Sequence, residues 1–149
     1  MTEIDTEKLL NDAGALKTLN DNVVEEFRAN NGKVGGPVTG DVVLLTTTGA
    51  KSGQPRLTPL VYFTIDGRML VAGSYAGAPV DPAWVHNLRA NSKAHVEVGT
   101  ESYDVTAREL PLDERNTLYD KVVGLMPVFG EYQAKTSRVI PLFELQRAE

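Results

Sequence analysis

From Ala15 to Ala29 the apolar residues Leu16, Leu19, Val23 and Phe27 recur at helical spacing, with Lys17, Asn20, Glu25, Glu26 and Arg28 at other positions. The pattern predicts one amphipathic helix, which the Asn-, Gly- and Pro-rich run from Asn30 to Pro37 stops. Its polar face is acidic rather than lysine-rich, so the helix is expected to cover a domain core rather than lie on a membrane surface. Residues 1–14 are expected to be a flexible N-terminal segment, and residues 15–149 a single domain.

After Gly40 the period changes to two. Val42 to Thr48 is rich in β-branched residues, Arg56 to Ile65 follows, and Asp66-Gly67 turns the chain into Met69 to Gly73, which predicts a three-stranded meander. Pro82 opens a short helix through Ala90, in which Trp84 and Leu88 share a side. Ala94 to Val98 and Ser102 to Glu109 alternate as a hairpin turning near Gly99. A helix from Leu112 to Val123 and a strand from Val139 to Leu145 complete the chain, with Met126 to Tyr132 expected as a connection. The first three strands are joined too tightly for βαβ crossovers, so the sheet is mostly antiparallel. About six strands with few helices bury their apolar face most economically by curling into a barrel, an α+β arrangement.

Composition narrows the chemistry. With 149 residues, 42% hydrophobic and 23% charged, the chain has the make-up of a soluble globular domain, and no apolar run approaches the roughly 20 residues of a membrane span. The N-terminus lacks the features of a signal peptide, which points to the cytoplasm. There is no cysteine, so disulfides, thiol nucleophiles and thiolate metal sites are excluded, and redox work needs a borrowed cofactor. His86 and His95 have no carboxylate at metal-ligand spacing and are read as ordinary side chains. A net charge of −5 argues against nonspecific nucleic-acid binding, so any anion site must be local. Neither a Rossmann fingerprint nor a P-loop is present.

The turn Leu44 to Leu60, LLTTTGAKSGQPRLTPL, offers such a site. Backbone N–H groups, the Ser52 hydroxyl and the cations Lys51 and Arg56 converge there as a phosphate cradle would require. The same residues also suit a solvated hairpin loop. Gly73-Ser74-Tyr75-Ala76-Gly77-Ala78 ends a strand with small residues, allowing either close approach of a flat ligand or simple flexibility. Met126 to Tyr132 carries soft and aromatic side chains that suit the wall of an apolar pocket or a satellite core cluster. Trp84 reads as core or as a cofactor platform.

Together, TTTGAKSGQPR, PLVYF, GSYAG, PAWVHNLRAN and YQAKTSRVIPLFEL, in this order over Val23 to Leu145, resemble the deazaflavin-dependent nitroreductase family. The resemblance implies a split β-barrel related to flavin-mononucleotide-binding oxidoreductases, binding coenzyme F420 with its phosphate and polyanionic glutamate tail. It implies that Lys51, Ser52 and Arg56, with Ala50 beside them, hold the phosphate and tail. Leu57, Thr58, Pro59, Leu60 and Val61 would lay strand backbone along the ring. Ala72, Gly73, Ser74 and Tyr75 would border it, and Ala83, Trp84, Val85, His86 and Asn87 would line the groove. Phe129 would close the site, Met126, Phe129, Tyr132 and Ser74 would meet the substrate, and Ser74 and Tyr132 would donate hydrogen bonds to the reacting oxygen. The implied reaction is hydride transfer from reduced F420 to a small-molecule acceptor, a quinone, enone or nitro compound. A flavin-mononucleotide enzyme of the same fold, or a carrier of F420 or an apolar ligand, is the alternative. The chain departs from the family at Ala50 and Tyr75, where Arg and Lys are common, which implies weaker cofactor binding.

Overall fold

A computed structural model describes residues 13–32 and 41–148, with side chains from Asn20 onward. The expected flexible segment therefore lies almost wholly outside the described residues. The elements run α1 (Ala13–Ala29), β1 (Val42–Thr48), β2 (Pro55–Ile65), β3 (Arg68–Ala72), a 3-10 turn (Tyr75–Gly77), α2 (Ala83–Ala90), β4 (Lys93–Val98), β5 (Glu101–Glu109), α3 (Leu112–Leu125), α4 (Val128–Ala134) and β6 (Leu142–Arg147). Among the described residues no helix is long and apolar enough to cross a membrane.

The six strands form a closed antiparallel barrel in the order β1-β2-β3-β6-β5-β4, with β4 returning to β1. Alternation sorts the side chains. Val43 and Leu45 of β1, Val71 of β3, Val96 of β4, Val105 and Ala107 of β5, and Phe143 and Leu145 of β6 form the interior cluster. Helix α2 supplies Trp84, Val85 and Leu88 to that cluster, and Trp84 meets the Phe143 ring edge-on at 5.7 Å. Burying each such side chain stabilises the fold by about 1.5–3 kcal/mol before entropy is counted.

The outer wall is covered in two places. Val23 and Phe27 of α1 pack on Val42 and Leu44, with Arg28 paired to Glu97 at 2.8 Å, as the amphipathic pattern predicted. Helices α3 and α4 cover β2 and β3, where Phe63, Ile65, Leu70 and Ala72 pack with Leu118, Tyr119, Val122 and Phe129.

Two expectations need correction. The last strand begins at Leu142 rather than Val139 and runs on to Arg147. The Ile140 N–H donates to Gln133 Oε1 at 3.0 Å, so its backbone belongs to the helix layer, and Pro141 has no N–H to give a ladder. At the other end, polar Gln146 and Arg147 pair with Thr106 and Val105. The stretch expected as a connection holds α4, whose seven residues follow Pro127.

Candidate functional site

The basic turn between β1 and β2 is closed by its own backbone. Gly49 N–H donates to Gln54 O at 2.8 Å and Gly53 N–H to Gly49 O at 2.9 Å. Gly53 takes φ +70°, a conformation that favours glycine. At Gly49 a Cβ would lie 2.5 Å from Ser52 Oγ, so a larger residue there would turn that hydroxyl away from its present place. Ser52 Oγ accepts from Gln54 N–H at 3.2 Å and from Arg56 Nη2 at 3.4 Å, which leaves its own O–H free to donate. Lys51, Ser52 and Arg56 are exposed, and neither cation has a carboxylate partner among the described residues.

Three contacts tie this turn to the other predicted residues. Asn87 is buried on α2, where its Oδ1 accepts the Ala50 N–H at 2.9 Å and its Nδ2 donates to Thr47 Oγ1 at 3.1 Å. One residue pair along the same helix, Val85 packs so tightly on Gly73 that a Cβ at Gly73 would lie 2.7 Å from Val85 Cγ2. The loop then meets α4, because a Cβ at Gly77 would lie 2.8 Å from Tyr132 O. In this way turn, helix, loop and α4 come together at one end of the barrel.

Around α4 the rings form an edge-on chain, Phe63 to Phe129 at 5.2 Å and Phe129 to Tyr132 at 5.4 Å. Tyr119 O–H donates to Phe129 O at 2.7 Å and is thereby occupied. Burial pushes the Tyr132 hydroxyl above its ordinary pKa of 10.0, with the nearby Glu131 charge acting the same way, so it stays protonated at neutral pH. Neither that hydroxyl nor the one on Ser74, which is 9% exposed, has a hydrogen-bond partner among the described residues.

A family model described as F420H(2)-dependent quinone reductase matches residues 20–146. The chain belongs to that family. It is 35% identical over 128 residues to an F420H(2)-dependent quinone reductase of Mycobacterium tuberculosis, covering 81% of this chain and 85% of the relative. Among solved structures it resembles an F420-H2 dependent reductase, FDR-A, at 40% identity and TM-score 0.63, over 70% of this chain and 93% of that one. A chain described as a domain-swapped dimer matches at 36% identity and TM-score 0.66, over 85% and 98%. The nitroreductase resemblance read from the motifs thus resolves into the F420H(2)-dependent quinone reductase family.

The donor set suits the cofactor named by this family. Exposed Lys51 and Arg56, with a hydroxyl between them, form a local positive site on a chain of net charge −5. Other predicted residues are placed less openly. Trp84 and Val85, 4% and 0% exposed, point their side chains into the core, so α2 presents Ala83 and His86 outward instead. Of the β2 residues, Leu57 is exposed and Thr58, Pro59, Leu60 and Val61 are half-buried, while Ala72 and Gly73 are buried and Tyr75 and Met126 half-buried.

A cleft of about 670 Å³ adjoins the basic turn, where Gly53 and Pro55 line it, and runs along β1, β4 and β5. Thr46, Thr48, Lys93, His95, Asp104 and Thr106 line it, and His95 Nδ1 lies 2.8 Å from Asp104 Oδ1. Among the described residues its lining includes no Phe, Tyr or Trp on which a flat ring could stack.

Sequence reasoning missed one residue here and the bracing role of another. Asn87, expected to line the groove, braces the turn with both ends of its amide. Arg138 was not singled out, yet it holds the carbonyls of Gly73, Ser74 and Ala78. The only signal was an arginine in the YQAKTSRVIPLFEL run, with nothing local to show where it reaches.

Proposed function

We propose that this protein is an F420H2-dependent quinone reductase whose site runs from the basic turn to Ser74 and Tyr132. The observation that carries this reading is the pair of hydroxyls without a hydrogen-bond partner at one end and the cations without a carboxylate partner at the other, among the described residues, joined through α2 and the Gly73–Ala78 loop.

When bound, reduced F420 supplies a hydride, and the quinone becomes a hydroquinone by taking that hydride and one proton. Lys51, Arg56 and the Ser52 O–H bind the anionic phosphate and tail and fix the register of the cofactor. The β2 backbone from Leu57 to Val61 and the loop from Ala72 to Tyr75 flank the ring, with Ala83 and His86 at the groove edge. Phe129 and Met126 exclude water beside the acceptor. Ser74 and Tyr132 donate hydrogen bonds to the acceptor oxygen that gains negative charge. Both hydroxyls act as neutral donors, and solvent completes the protonation.

The test mixes the protein with reduced F420 and a panel of quinones and follows return of the oxidised cofactor absorbance, with flavin mononucleotide titrated in parallel. Turnover is expected, with flavin mononucleotide binding much more weakly. Ser74→Ala and Tyr132→Phe are each expected to lower kcat about tenfold or more. Binding of flavin mononucleotide as tight as that of F420 would overturn the cofactor assignment, and binding of F420 without turnover would leave a carrier.

A further inference from the structure

Arg138 stands in the segment between α4 and β6, with its side chain 15% exposed. Its guanidinium makes four hydrogen bonds into one short stretch of chain. Nε donates to Ala78 O at 2.9 Å, Nη1 to Gly73 O at 3.0 Å and to Asp81 Oδ1 at 2.9 Å, and Nη2 to Ser74 O at 2.8 Å. The planar fork thus gathers three carbonyls from both ends of the Gly73–Ala78 loop, which a single ammonium could not do. Arg138 is itself fixed, since its carbonyl accepts from Gln133 Nε2 at 2.7 Å and Gln133 Oε1 accepts from Arg115 Nη2. Asp81 is fixed too, by Arg89 Nη1 at 3.0 Å.

The loop needs this hold. Tyr75 and Ala76 take φ 47° and 53°, two successive residues with side chains in the left-handed region. Gly73 N–H donates to Pro141 O at 2.9 Å, and beyond that first residue the backbone bonds of the loop among the described residues are Gly77 N–H to Ser74 O and Ala78 N–H to Tyr75 O. A strained conformation of this kind persists only where its surroundings impose it.

We infer that Arg138 is a positioning residue for hydride transfer: it clamps the Gly73–Ala78 loop in its left-handed form and so sets the place of the Ser74 hydroxyl against the acceptor. The inference rests on the function proposed above. Arg138 touches neither acceptor nor cofactor in this account and acts through Ser74. Because the loop borders the ring while the cations of the phosphate cradle sit on a different turn, its loss falls more on kcat than on cofactor affinity.

The test begins with the cofactor-free protein. Hydrogen exchange in Arg138→Lys is expected to speed up at the Gly77 and Ala78 amides while those of the β4–β5 hairpin keep their protection. With reduced F420 and a quinone, kcat per folded molecule is expected to fall about tenfold or more, with the F420 dissociation constant changed less than about threefold. In a Ser74→Ala background the same substitution should have little further effect on kcat. Ala76→Gly, which accepts the left-handed backbone without a Cβ, should recover part of the lost rate in Arg138→Lys. Unchanged exchange at Gly77 and Ala78, or a full additive loss of kcat in the Ser74→Ala background, would overturn the inference. A wild-type protein that fails to oxidise reduced F420 would instead overturn the function on which it rests, while the exchange result would still report on the clamp. Should Arg138→Lys fold poorly, Asp81→Asn, which removes the carboxylate charge facing Arg138 while Arg89 keeps Glu109, is expected to give the same pattern in weaker form, and its absence counts against the clamp.

Discussion

Asn87 Oδ1 accepts the Ala50 backbone N–H at 2.9 Å, so the helix that plugs the barrel also sets the position of the basic turn. The other end of the amide is satisfied by Thr47, and the side chain is 7% exposed. Asn87→Ala leaves the buried Thr47 hydroxyl and the part-buried Ala50 N–H without their partner and is expected to cost about 1–3 kcal/mol in unfolding free energy. F420 affinity should fall several-fold with it, whereas Asn87→Asp, which keeps the acceptor for Ala50, should lose less of that affinity. Denaturant unfolding and fluorescence titration of F420 check both statements. An Asn87→Ala protein with full F420 affinity would mean that the turn keeps its shape unaided.

Lys51 and Arg56 are exposed and have no carboxylate partner among the described residues, so removing either disturbs little of the protein beyond the long Arg56 bond to Ser52 Oγ. Lys51→Ala and Arg56→Ala are each expected to weaken F420 by about 1–3 kcal/mol through a lost charge-assisted contact. The deficit should shrink at high salt, where the wild-type advantage is screened. If neither variant changes affinity across a salt series, the turn is a solvated hairpin.

Ala50 is exposed beside Lys51, and Tyr75 opens the 3-10 turn. Ala50→Arg is expected to tighten F420 by about 0.3–1 kcal/mol, the worth of an exposed charge contact. Tyr75→Lys should add to it only if the Tyr75 ring is not itself packed on the ligand, which is why the two are measured singly and together. Titrations with F420 of different tail lengths separate a contact to the phosphate from one to the glutamates. No gain in any arm removes the argument from missing charge.

Glu114 lies outside the site and reports on the barrel wall. Hydrogen bonds from Arg108, at 3.0 and 2.9 Å, and from Arg68 hold its carboxyl down at about 2 from its ordinary 4.5. A carboxyl depressed by folding stabilises the protein fully above its unfolded pKa, and that share is lost as the pH falls through the folded value. Stability is therefore expected to drop between about pH 4.5 and 2, and Glu114→Gln should flatten that limb. Urea unfolding at a series of acid pH values decides it, and an unaltered acid limb in the variant would assign the loss to other carboxylates.

The strands were legible where alternation ran without interruption. Ala94 to Val98 and Ser102 to Glu109 alternate strictly, and β4 and β5 follow within one or two residues. Helix α4 was not legible, because seven residues are too few to establish a 3.6 period and Gly130 lies among them. The start of β6 was misplaced since Val139 and Ile140 are apolar enough for a strand, and only the distant Gln133 side chain shows that the Ile140 backbone is engaged elsewhere. The same limit governs the site. Lys51, Ser52 and Arg56 are neighbours in the sequence and could be read as a unit, whereas Arg138 reaches Gly73 across 65 positions and leaves no local trace.

Strand β6 is the element that joins β3 to β5, pairing Val71 with Phe143 and Ala107 with Leu145. A chain emerging from the ribosome has therefore made five strands before the sixth can seal the cylinder, and until then β3 and β5 each expose a row of unpaired backbone groups. Closure is late and long-range, the kind of step that topology makes slow. For those moments the half-made sheet offers two open borders to any neighbouring copy, so expression at low temperature or slow synthesis should raise the yield of correctly closed protein.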